Sequence, residues 1–211
     1  MFITNHPHLE IKLLEDSNLN DLKIFCEKCN NLGWENNKDF KSIKLDKMIM
    51  PHGQYFIGFD HNKKEIWTLA GVHHCPEINK NAWRCLFRGA QLPGYALSNR
   101  LTKNLFLTII HISYFLPIQM DFVKQHISNP IFYISTNNVN NKKFFAKSQH
   151  LDRLVMPMMA KQGVFTKTHD DFELFNTRQN VWQVHEDIYW DRRNQVLPAD
   201  IVITPILSHP Q

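Results

Sequence analysis

Between Asn81 and Pro117 a strand-like run, a glycine turn and a long amphipathic helix follow one another. Asn81-Ala82-Trp83-Arg84-Cys85-Leu86-Phe87-Arg88 is rich in aromatic and apolar residues and reads as a strand entering a turn. Gln91-Leu92-Pro93-Gly94-Tyr95-Ala96 supplies the turn. Leu97, Leu101, Leu105, Ile109, Ile112 and Leu116 then recur every four or three positions, the mark of one helical face, which Pro117 is expected to end. A helix N-terminus presents unpaired N–H groups and the positive end of its dipole, so this junction suits an anion such as a phosphate. Gly94 lets the backbone approach that anion closely.

The hexapeptide resembles the acyl-coenzyme A binding loop of the GNAT (N-acetyltransferase) superfamily. The loop's pattern is Gln or Arg, two residues, Gly, one residue, then Gly or Ala. Gln91, Gly94 and Ala96 fill the fixed positions. A second match follows: Pro130-Ile131-Phe132-Tyr133-Ile134-Ser135 reads as a short buried strand, and Asn137-Asn138 opens a helical stretch carrying Phe144, Phe145 and Lys147. Family members often have Asn at this helix start, then an aromatic pair and a Lys, which Asn138, Phe144, Phe145 and Lys147 match. The chain departs from the pattern at several places. Asn141 replaces a small residue, Ser148-Gln149-His150 replaces a Gly-Phe pair, and Pro93 removes one amide donor from the loop. Phe145 stands where many members carry a tyrosine that protonates the leaving thiolate.

The remaining pattern extends the resemblance to the acyl-CoA N-acyltransferase fold as a whole. Leu9 to Leu14 reads as a first strand, and Leu19, Leu22, Phe25, Cys26 and Cys29 take helical spacing as far as Gly33. A second short helix is expected over Phe40 to Met48. Gln54 to Phe59, Glu65 to His73 and Ala82 to Phe87 read as an antiparallel meander, with Asp60-His61-Asn62-Lys63 as its first turn. The helix from about Tyr95 to Phe115, the strand Ile131 to Ser135 and a helix from near Val139 come next. Phe172 to Phe175 and Val181 to Val184 are expected to pair as a hairpin through Thr177-Arg178-Gln179-Asn180. The fold class is α/β (α+β), a GNAT-like mixed central sheet of about six to seven strands flanked by helices. Residues 1–190 form the acyl-CoA binding domain in this reading and residues 191–211 a C-terminal extension.

The resemblance implies an enzyme, an acyltransferase that moves an acetyl group from acetyl-CoA to a primary amine by direct attack in a ternary complex. It implies that the amides of Gln91, Gly94, Tyr95 and Ala96 hold the pyrophosphate, and that backbone N–H groups near Leu86 and Phe87 bond the pantetheine arm and polarise the thioester carbonyl. Asn138 would contact the cofactor from the opposite side. Glu77, placed just after the strand Glu65 to His73, is the first candidate for the base, with His73 and His74 as further candidates. Tyr133 is a candidate replacement acid. The acceptor is a small-molecule or peptide amine, and a catalytically inactive acyl-CoA binding relative is the alternative within the fold.

Composition narrows the class without deciding the function. Hydrophobic residues make up 43% and charged residues 21% of the 211, ordinary values for one soluble globular domain. The formal charge of +4 suits an anionic cofactor and also weak attraction to nucleic acid. A nucleic-acid or protein interaction module is the reading from a different class, resting on Trp83, Trp182 and Trp190. The basic residues gather near those tryptophans only at Arg192-Arg193, which weighs against nucleic acid. Met1 to Pro7 lacks the pattern of a signal peptide, and Leu105 to Ile118 is shorter than the roughly 20 residues needed to span a bilayer, so a cytoplasmic location without membrane attachment is expected. Cys26-Glu27-Lys28-Cys29 has metal-ligand spacing, with His73-His74-Cys75 as a second group. No second tight pair accompanies them, so reduced thiols and no metal are expected. A homodimer through the tail or a sheet edge is left open.

Overall fold

The computed structural model describes residues 2–3, 9–31, 53–86, 111–137, 155–174, 177–196 and 204–205. In chain order the elements are β1 (Phe2–Ile3), β2 (Leu9–Leu13), α1 (Leu19–Asn31), β3 (Gly53–Asp60), β4 (Glu65–His74) and β5 (Ala82–Leu86). These are followed by α2 (Leu116–His126), β6 (Ile131–Asn137), α3 (Met156–Lys161), β7 (Phe165–Leu174), β8 (Thr177–Val184), α4 (Glu186–Val196) and β9 (Thr204–Pro205). The expected helices over Phe40 to Met48 and from Val139 onward, and the helix from Tyr95 as far as residue 110, lie outside the described residues. Seven of the nine described strands have five residues or more, in line with the expected sheet. No helix among the described residues is long and apolar enough to cross a membrane.

The chain forms two compact units, and β4 contributes to both. Met1–Gly71, Phe87–Ser98 and Pro198–Gln211 make the first; Val72–Leu86 and Asn99–Leu197 make the second.

In the first unit the strand order is β4-β3-β2-β1-β9. β2 pairs antiparallel with β3 from Leu9↔Asp60 to Leu13↔Phe56. The β3–β4 connection is a four-residue turn over 61–64, one residue later than the expected Asp60 to Lys63, and its geometry comes from Asp60 at the end of β3. The Asp60 Oδ1 accepts from the Asn62 N–H at 2.9 Å and the Lys63 N–H at 3.1 Å, and Lys64 then adopts a left-handed φ of 52°. Both faces of these strands are covered, since the consecutive residues Phe56 and Ile57 of β3 and Ile66, Trp67, Leu69 and Ala70 of β4 are all buried. From α1, Leu22 and Phe25, three positions apart, enter the core on one helical face.

In the second unit the order is β7-β8-β6-β5-β4. β5 and β6 are parallel, whereas β8 is antiparallel to both β6 and β7. A parallel pair needs a crossover, and the chain between β5 and β6 contains α2. Phe132 and Ile134, and from the other face Tyr133, are all buried, so β6 is covered on both sides.

Two expectations are corrected. Pro117 does not end a helix: a π-helical turn over His111–Phe115 leads into α2, whose first turn holds Pro117. A first-turn proline lacks only an N–H that would have no helical partner. The Tyr189 hydroxyl donates to the Ile112 carbonyl in that π turn at 2.5 Å. The hairpin turn is not Thr177-Arg178-Gln179-Asn180, since these residues open β8, with Thr177 opposite Leu174 and Gln179 opposite Phe172. Their polar side chains serve the pairing: Gln179 Nε2 donates to the Leu174 carbonyl at 3.3 Å, and Asn180 Oδ1 accepts from the Asp171 N–H at 3.1 Å.

Candidate active site

The parallel ladder between β5 and β6 runs from Ala82↔Ile131 to Cys85↔Ile134 and stops there. β6 continues to Asn137 along its other edge, pairing with β8 through Ser135↔Val181, Thr136↔Asn180 and Asn137↔Gln179. β6 therefore runs three residues past the ladder. Ligands in α/β sheets gather at the carboxyl ends of parallel strands.

A polar cluster sits beside that end. Arg84, in register with Tyr133 and so on the same sheet face, extends its half-buried guanidinium to three strands. Nε donates to Ser135 Oγ of β6 at 2.6 Å, and a terminal nitrogen donates to Gln179 Oε1 of β8 at 2.9 Å. The other terminal nitrogen faces His73 Nε2 of β4 at 3.5 Å. His73 is buried, and its Nδ1 lies 3.0 Å from the His74 carbonyl. A carbonyl oxygen only accepts, so Nδ1 carries the proton and Nε2 offers its lone pair to Arg84.

Next to these groups lies an apolar cluster of Cys75, Ala82, Tyr133, Leu174 and Val181. Tyr133 is 5% exposed, and its hydroxyl makes no hydrogen bond among the described residues. Burial raises its pKa above the usual phenol value. Cys75 is pushed up to about 12, first by burial; the charge of Arg84 opposes the shift, while the charge and hydrogen bond of Glu77 add to it. Glu77 itself is exposed in the turn between β4 and β5, where Cys75 N–H donates to the Ala82 carbonyl at 2.8 Å.

The candidates from the sequence thus separate into groups. His73 and Tyr133 share one sheet face, and Glu77 lies within electrostatic reach of Cys75 on that face. Leu86 ends β5 one residue beyond the ladder. Phe87, Gln91, Gly94, Tyr95, Ala96 and Asn138 lie outside the described residues. Sequence reasoning passed over Arg84, Ser135 and Gln179, which come together only through pairing across up to 95 positions. Among the described residues no three His, Cys, Asp or Glu side chains gather as a metal site, and Cys26, Cys75 and Cys85 are free thiols.

An open hollow of about 970 Å³ lies at the other end of β6, lined by Asn81, Lys124, Ser128, Pro130, Ile131 and Glu186. Its Lys124 and Glu186 satisfy one another at 2.7 Å, and it faces the amino ends of the parallel strands. The polar cluster is the better candidate on both counts.

No protein-family model matches the sequence, and no curated protein matches it. Solved structures do match in three dimensions. The aminoglycoside 6'-N-acetyltransferase from Enterococcus faecium aligns with 12% identity over 82% of this chain and 95% of that one, at a TM-score of 0.49. Escherichia coli ElaA aligns with 11% identity over 83% and 99%, at 0.47. An acyl-CoA N-acyltransferase from Pseudomonas aeruginosa aligns with 7% identity over 83% and 97%, at 0.44. All three alignments are at low identity.

Proposed function

We propose that the protein is an N-acetyltransferase that moves an acetyl group from acetyl-CoA to a primary amine by direct attack within a ternary complex. The observation that carries this reading is the end of the β5/β6 ladder at Cys85↔Ile134 while β6 continues along β8. A gap opening there would admit the pantetheine arm, with the backbone of Leu86 and Phe87 on one side and Asn138 on the other. The pyrophosphate would rest on the amides of Gln91, Gly94, Tyr95 and Ala96, where a helix start suits an anion.

In this reaction the amine nitrogen bonds to the thioester carbonyl carbon, the carbon–sulfur bond breaks, and the leaving thiolate takes up a proton. Holding both reactants side by side supplies much of the rate, of order several kcal/mol. Tyr133 is suited to give the proton, because burial keeps its hydroxyl protonated at neutral pH and no protein acceptor among the described residues claims it. The incoming ammonium gives its proton to water, since Glu77 lies in the turn before β5, at the opposite end of the ladder from the gap. His73 is a poor base, since Arg84 stands against the nitrogen that would receive the proton.

The test is release of coenzyme A thiol from acetyl-CoA in the presence of a panel of amines. The proposal expects turnover with some of them, and a fall in kcat of about 100-fold in Tyr133→Phe with little change in KM. Absence of thiol release above the hydrolytic background with every amine would refute it.

A further inference from the structure

We infer that the bond between Arg84 and Ser135 closes the inner end of the donor gap, so that the site takes a short acyl group and excludes longer chains. The inference rests on the reading of the site given above, in which the pantetheine arm enters between β5 and β6 past the end of their ladder. The acyl group leads the arm, and whatever stands at the ladder's end limits its length.

Three features close that end. In the plane of the sheet, Cys85↔Ile134 is the last pair of the parallel register, and a paired backbone leaves no passage between the strands. Cys85 and Ile134 are in register and so share one face, where both are buried. Arg84 and Ser135 adjoin them in the chain and lie on the opposite face. There Arg84 Nε on β5 donates to Ser135 Oγ on β6 at 2.6 Å, so the side chain crosses the space between the strands at the first position beyond the ladder.

Neighbouring strands hold the crossing group in place. The terminal nitrogens of Arg84 face Gln179 Oε1 of β8 at 2.9 Å and His73 Nε2 of β4 at 3.5 Å. Moving the guanidinium aside would break its charge-assisted hydrogen bonds to Ser135 and Gln179 together. A serine oxygen stands one bond beyond Cβ, so the bridge lies low over the sheet, where a chain continuing from the gap would have to pass. A longer acyl chain therefore meets packed side chains on one face and a bonded guanidinium on the other, and forcing extra methylenes into filled space is unfavourable. An acetyl group adds a single methyl beyond the thioester carbonyl and makes the smallest demand on that space.

The experiment titrates coenzyme A, acetyl-CoA, butyryl-CoA and hexanoyl-CoA into the full chain and needs no acceptor. Acetyl-CoA is expected to bind at least about tenfold tighter than hexanoyl-CoA, with butyryl-CoA between them. Arg84→Ala, which removes the bridge with its bulk, should bring the acetyl and hexanoyl affinities level. Ser135→Ala, which removes only the anchor on β6, should narrow the ratio part of the way. A general loss of stability weakens every donor alike and leaves the ratio unchanged, so the ratio isolates the role of the bridge. Hexanoyl-CoA binding to the parent protein as tightly as acetyl-CoA would overturn the inference, as would an unchanged ratio in Arg84→Ala. If Arg84→Ala does not fold, the ratios in the parent protein and in Ser135→Ala decide. Donor binding without chain-length preference removes only this inference, whereas no binding of coenzyme A or acetyl-CoA removes the reading beneath it as well.

Discussion

Arg84 of β5 donates from Nε to Ser135 Oγ of β6 at 2.6 Å, one residue beyond the last backbone pair of the two strands. A side-chain bond thus ties the strands where main-chain pairing stops. Ser135→Ala leaves the guanidinium one acceptor short. It should lower unfolding free energy by about 1–2 kcal/mol, the range for a hydrogen bond to a charged group near a surface. Urea denaturation checks this as a lower midpoint with an unchanged slope.

Thr136 accepts a hydrogen bond from the buried indole N–H of Trp182 at 3.1 Å. Thr136→Val keeps shape and volume but strands that donor in the core, with an expected loss of about 1–3 kcal/mol. Trp182→Phe in the valine background removes the stranded donor, so the two changes should prove non-additive in a double-mutant cycle.

Gly71 in β4 leaves room for the ring of Tyr55. A Cβ added there would stand 2.7 Å from Tyr55 Cε1 and 2.8 Å from Cδ1, and that ring is only 6% exposed. Gly71→Ala should cost about 1–3 kcal/mol through overpacking, with part of the loss recovered in a Tyr55→Leu background. Thermal unfolding of the single and double variants measures both.

The buried thiols set an alkaline limit. Cys75 rises from 9.0 to about 12 and Cys26 from 9.0 to about 11, in both cases first through burial. A pKa raised in the folded state means that the unfolded chain loses the proton first. Stability from these groups is therefore fully present below pH 9 and declines as pH rises toward 11 and 12, by at most about 1.4 kcal/mol per pH unit for each thiol. Replacing Cys75 with Ala should flatten its share of that decline between pH 9 and 10.5 in urea titrations.

The parts of the fold that the sequence makes legible are those with an apolar strand run or a strong turn. β2, β3, β4 and β6 carry runs of apolar or alternating residues, and Asp60 marks the first turn. Of β7 the sequence marks only the end, because Thr166, Lys167, Thr168, Asp170 and Asp171 are exposed around two breaks in register, so alternation fails. α4 groups Ile188, Tyr189 and Trp190 consecutively between charged residues and shows no apolar stripe. α3 is six residues long and opens with a proline in its first turn, too short for a periodic signal. At the candidate site Tyr133 and His73 could be named from the strands that hold them. Arg84, Ser135 and Gln179 could not, because their meeting depends on which strands become neighbours and in which register.

The proposed function requires the chain to bind acetyl-CoA through the segment from Gln91 to Ala96. Isothermal titration of acetyl-CoA into the parent protein and into Gly94→Asp tests it most directly, since the new carboxylate would both obstruct and repel a pyrophosphate. Micromolar binding by the parent protein, lost in the variant, is the expected result; no heat of binding in the parent, or equal binding by both proteins, would contradict the account.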